Sequence, residues 1–89
     1  MPYVKPEVRE RIDRGGIPEN TSELDYALSR IVNGYLMRKE RVAYAELNEA
    51  VGALECAKLE LYRRLLAPYE DEKIAQNGDV FTVTPRATP

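Results

Sequence analysis

Residues Leu54–Val80 read LECAKLELYRRLLAPYEDEKIAQNGDV, and the fold turns on this stretch. Leu54, Leu61 and Leu65 continue a line that begins at Leu47 and Val51, one stripe of a long helix with Lys58 at the missing position. Ala50 and Ala57 flank that stripe, and Leu54, Ala57, Leu61 and Leu65 are its expected core face. Pro68 lacks an amide hydrogen and its ring collides with the carbonyl four residues back, so a kink or a break is expected there. Tyr69 to Gln76 reads as helix again, and Asn77-Gly78 is a strong stop. Gly52, Ala53, Cys56 and Ala57 are small, and Gly52 with Cys56 predicts a close approach by another backbone.

Working outward, Pro6 to Ile12 predicts a short helix with Pro6 in the first turn. Gly15, Gly16 and Pro18 break it, leaving Asp13 to Asn20 as a loop. Thr21 or Ser22 opens the next helix, with Ser22 and Asp25 as a capping box. Leu24, Leu28, Ile31 and Tyr35 form its apolar line, widened by Ala27, Val32 and Leu36. This helix is expected to end near Met37 or Arg38, and the long one to start near Tyr44. Val80 to Val83 alternates apolar and polar residues, which suits an edge strand or a segment lying along the helices. The whole is an all-α small bundle of three to four helices, one of them long and kinked. It is read as one domain over residues 1–84 with a flexible tail over 85–89. The surplus apolar stripe predicts a homo-oligomer.

Composition bounds the chemistry. Eighty-nine residues bury roughly 60–65% of the unfolded surface, enough for one small domain. Apolar content is 44% and charged content 31%, the balance of a globular chain. A net charge of −2 argues against bulk attraction to double-stranded nucleic acid. The lone Cys56 forms no intrachain disulfide, and the chain has no histidine, the commonest general base and metal ligand. No run approaches the roughly 18 apolar residues of a membrane span, and MPYVKPEVRE lacks a signal-peptide core. The expectation is a soluble, intracellular protein that does not engage a membrane.

No phosphate-binding Gly-rich loop, CxxC, HExxH or Ser-His-Asp set is present, so no catalytic residue, metal ligand or cofactor is assigned. Glu55, Leu59, Tyr62, Leu66, Tyr69 and Lys73 instead step along one side of a continuous helix, with Arg63 beside the line and Arg64 on the opposite flank. Guanidinium groups grip phosphate bidentately and tyrosines stack on bases. The candidate ligand-binding residues are therefore Tyr62, Arg63, Arg64, Tyr69 and Lys73, joined by Asn77 and Asp79 from the turn. A purely structural account competes: Glu60 can pair with Arg63 and Arg64, Glu70 can pair with Lys73, and the tyrosines can close a core rim.

Met1-Pro2-Tyr3-Val4, Glu23-Leu24-Asp25-Tyr26, Ile31-Val32-Asn33-Gly34-Tyr35, the run from Val51 to Arg64, Ala67-Pro68-Tyr69-Glu70-Asp71 and Asn77-Gly78-Asp79-Val80 resemble a family of small uncharacterised proteins. Its members are encoded by tailed bacteriophages, prophages and bacteria and carry a domain of unknown function. The resemblance covers the chain up to Val80 and implies a phage-linked origin, with no catalytic residues to transfer. In that setting the first expectation is a non-catalytic oligomeric protein that sequesters a nucleotide immune signal of the host, a sponge in anti-defence. The second is a protein-interaction module that inhibits a host protein. The third is a divalent-metal-dependent nucleotide hydrolase.

Overall fold

A computed structural model describes residues 1–86, and its regular structure is all helical. Helix α1 spans Pro6–Asp13, α2 Thr21–Met37 and α3 Tyr44–Leu61. A π-helical turn, Tyr62–Leu66, joins α3 to α4, Ala67–Asn77, so the helix runs unbroken from Tyr44 to Asn77. The described residues divide into two compact units, Met1–Gly52 and the residues from Ala53 onward.

The first unit is built on α1 packed against α2. Its buried apolar residues are Ile12, Tyr26 and Ala50. The apolar line expected to form the inner face of α2 lies outward: Leu24, Leu28, Ile31 and Tyr35 are all exposed, Ile31 at 70%. The polar neighbours of that line make the contact with α1. The Tyr26 hydroxyl donates to both carboxylate oxygens of Asp13, at 2.9 and 3.0 Å, and Arg30 Nε reaches Asp13 Oδ1 at 3.4 Å. The Arg9 guanidinium lies 5.6 Å from the Tyr26 ring centroid.

A second network ties down the loop between α1 and α2. The Glu23 carboxylate is buried and accepts from the Arg11 guanidinium, from Glu19 N–H at 3.0 Å and from Asn20 Nδ2 at 3.3 Å. Arg11 also donates to the Ile17 carbonyl at 2.9 Å. Asn20, two residues ahead of the Ser22 expected as cap, is the N-cap of α2: its Oδ1 accepts Glu23 N–H at 2.9 Å. Asn20 and Glu23 take the place expected of Ser22 and Asp25, with the Glu23 carboxylate reaching back to the Glu19 amide and the Asn20 side chain rather than to the Asn20 amide. Gly16 fits here because a Cβ would sit 2.7 Å from the Arg11 carbonyl oxygen. Helix α3 opens in a related way, with Ala43 N–H donating to Glu46 Oε1 at 2.8 Å.

In the second unit Pro68 neither breaks the helix nor stands in a plain α-helical turn. Ala67 N–H donates to the Tyr62 carbonyl, five residues back, and Leu66 and Ala67 keep right-handed helical angles. The wider turn opens the backbone just ahead of the proline, which relieves the clash that a ring places on the preceding carbonyls. Leu54, Leu61 and Leu65, expected as a core face, are exposed at 42, 60 and 68%. Among the described residues nothing lies within 4 Å of where a Gly52 Cβ would stand, and Cys56 is exposed, so the expected close backbone contact is not made among them. The expected strand at Val80 to Val83 is absent among the described residues. No strand offers a pairing edge there, and Asp79 Oδ1 takes the Phe81 N–H at 3.0 Å in a local turn instead. Of the expected tail, Pro85 and Arg86 have no regular structure, and residues 87–89 lie outside the described residues.

Candidate functional site

The end of α4 decides where the candidate residues meet. Asn77 is its last residue, and Gly78 follows at φ 91° and ψ 152°, a conformation that belongs to glycine. The chain beyond Gly78 then lines a groove with the helix it has just left. The groove measures about 520 Å³ and is lined by Tyr62, Tyr69, Lys73, Asn77 and Asp79, together with Ala67, Glu70, Asp71, Ile74, Gly78, Val80 and Phe81. Five of the seven sequence-selected residues are therefore brought together.

Arg63 and Arg64 do not line it. Both Oε atoms of Glu60 accept from Arg63 Nη2, at 3.0 and 3.1 Å, one turn away on the exposed helix surface. Arg64 borders a smaller hollow of about 250 Å³ with Glu60, Leu61 and Leu65. The groove thus gathers the tyrosines and the lysine of the expected phosphate grip without its arginines. The groove holds one lysine against Glu70, Asp71 and Asp79, so its formal charge is −2.

Lys73 is already engaged. Its ammonium lies 5.5 Å from the Tyr69 ring centroid and donates to Gln76 Oε1 at 3.4 Å. The Tyr62 phenol has a pKa raised above its ordinary value. The facing Glu70 carboxylate is the main cause, as hydrogen-bond acceptor first and as a charge second, followed by partial burial and by Asp71. Glu70, Asp71, Ile74 and Phe81 line the groove without having been among the selected ligand-binding residues. A glycine stop after a helix, followed by an apolar Val80-Phe81 pair, is the signal that could have found Phe81.

A second cavity, also about 520 Å³, lies in the first unit beside the glycine loop. It is mainly apolar, with Ile12, Ile17, Pro18, Ala27 and Ile31 in its walls. Its two charged residues, Asp13 and Arg30, already engage each other. Among the described residues no three His, Cys, Asp or Glu side chains converge on a point that would hold a metal ion. No helix among them is long and apolar enough to cross a membrane.

No curated protein matches this sequence and no solved structure matches this chain. One family model does match, over residues 1–80, and its description is a domain of unknown function. Those residues include both helical units and all but the last wall of the groove, and on that match the chain belongs to the DUF6899 family.

Proposed function

We propose that this chain is a non-catalytic protein-interaction module that works as a homo-oligomer. The observation that carries the reading is the exposure of its apolar helix faces: Leu54, Leu61 and Leu65 on one long helix, and Leu24, Leu28 and Ile31 on α2. Large apolar side chains left open in rows along a helix side mark a binding face on a small protein. Covering each leucine contributes roughly 1.5–3 kcal/mol, so a few such residues from each copy offset a substantial part of the cost of association. Lys58 occupies the remaining position of the stripe, and its ammonium is neutralised by Glu55 at 3.1 Å. A single lysine in such a seam selects register among possible pairings. With the phage-linked origin that the resemblance implies, the partner is a protein of the bacterial host, met in its cytoplasm and inhibited there. The test is capture of a defined host protein by the tagged wild-type chain, identified by mass and reconstituted from purified components. Failure of every purified candidate to bind counts against the reading.

A second reading, sequestration of a nucleotide immune signal, draws on the groove itself. Tyr62, Tyr69 and Phe81 offer faces for a base, and Lys73 offers one cation. Incubation with cyclic oligonucleotides or cyclic ADP-ribose derivatives would then deplete free ligand, and heating would return it unchanged. Tyr69→Ala would abolish that capture, whereas Arg63→Ala would leave it intact because Arg63 lies outside the groove. Ligand returned in altered form would favour the hydrolase expected third.

A further inference from the structure

We infer that the groove between α4 and the residues after Gly78 receives a lysine or arginine side chain of a partner protein. This goes beyond the interaction-module reading, which is carried by the apolar helix faces, and names the chemistry of a partner at a separate surface. The groove is first an aromatic one: Tyr62, Tyr69 and Phe81 all contribute to its walls, each at least partly exposed and so available to an incoming group. Aromatic faces attract cations through the negative quadrupole of the ring. The chain demonstrates this locally, since its own Lys73 ammonium stands over the Tyr69 ring at 5.5 Å.

Charge then selects among ligands that favour aromatic walls. Glu70, Asp71 and Asp79 outnumber Lys73, and the two arginines that would have compensated phosphate are turned to other surroundings. A phosphate entering this groove would meet three carboxylates and one committed ammonium. A guanidinium or ammonium meets the same three carboxylates as partners and the rings as walls. The raised pKa of the Tyr62 phenol agrees with a locally negative field. Among the described residues these carboxylates do not group as a three-ligand metal site, and an extended organic cation suits their separate positions along the groove.

The experiment is a titration of the ¹⁵N-labelled full chain with a penta-lysine peptide, with AMP and with inorganic phosphate, followed at the amides of Tyr69, Lys73, Asn77 and Phe81. The expected result is saturable movement of these amides with penta-lysine and none with AMP or phosphate. Glu70→Gln and Asp79→Asn together should weaken the peptide about tenfold, and Tyr69→Leu by a comparable factor. Asparagine at position 79 keeps an acceptor for the Phe81 amide, so the turn survives, and circular dichroism checks the helix. AMP moving these amides while the peptide does not would overturn the inference. So would a peptide bound equally well by the charge-neutral variant, or no movement with any probe. Light scattering on the same samples reads self-association separately, so failure at the groove is distinguishable from failure of the interaction-module reading.

Discussion

The backbone N–H of Ala67 reaches the carbonyl of Tyr62, five residues back where an α-helix would reach four. That one bond inserts an extra residue into the turn. Each residue of an α-helix advances the face by about 100°, so everything beyond the turn is rotated by about that angle relative to a straight α-helical count. Tyr62 consequently faces Glu70, one position beyond Tyr69 of the expected heptad line, and Glu70 is the main perturber of its phenol.

Replacing Glu70 should therefore show at Tyr62. The carboxylate raises the phenol's pKa, so Glu70→Gln should lower it toward the ordinary tyrosine value. The measurement is a ¹³C NMR titration of the tyrosine ring carbon bearing the hydroxyl, assigned to Tyr62. Pro68→Ala should move the same resonance in the same direction, because a regular α-turn would rotate Glu70 away. An unchanged Tyr62 titration in both variants would refute the link between the π-turn and the pairing.

Glu23 predicts the acid response of the first unit. Its pKa is lowered, chiefly by the hydrogen bond from Glu19 N–H and then by Arg11 and Asn20 acting against desolvation. A depressed folded pKa means that its stabilisation is present above the unfolded-state value and is lost as pH falls through the folded one. Thermal melts should therefore show Glu23→Gln flattening the loss of stability below the ordinary carboxylate range. The variant should also be less stable than wild type at neutral pH. A wild type and variant that decline in parallel with acid would contradict this.

The cap of α2 gives a simpler stability test. Asn20→Ala removes the acceptor for Glu23 N–H and one donor to its carboxylate, and should cost about 1 kcal/mol. Asn20→Ser, which can still accept, should recover most of that in chemical denaturation.

Gly78 tests the groove through the backbone. Its φ of 91° with ψ 152° is a region that L-residues with a Cβ avoid, at a cost on the order of 1–3 kcal/mol. Gly78→Ala should displace Val80 and Phe81 from the groove wall while leaving α4 helical. Amide shifts of Phe81 against those of Tyr69 and Lys73 report the two parts separately.

The helices were legible because their signals are local. Pro6, the Gly15-Gly16 break, the Tyr44 start and the Asn77-Gly78 stop each act within a turn of the chain. The inner face of α2 was not legible. Apolar periodicity pointed to Leu24, Leu28 and Ile31, while the contact with α1 is made by Glu23, Tyr26 and Arg30 through Arg11 and Asp13, partners distant in sequence. The groove was half legible. Tyr62, Tyr69, Lys73, Asn77 and Asp79 do meet, although not along the straight line that suggested them. Arg63 and Arg64 lie outside the groove, and Arg63 takes the Glu60 partner that the competing structural account offered it.

Self-association is the claim on which the functional account depends, and molar mass in solution tests it most directly. Light scattering coupled to size-exclusion chromatography should give a multiple of the 10.1 kDa chain mass for wild type. Leu54→Glu with Leu61→Glu, at positions 42 and 60% exposed on the long helix, should give a helical monomer. A wild-type chain that elutes as a monomer across the accessible concentration range would contradict the account.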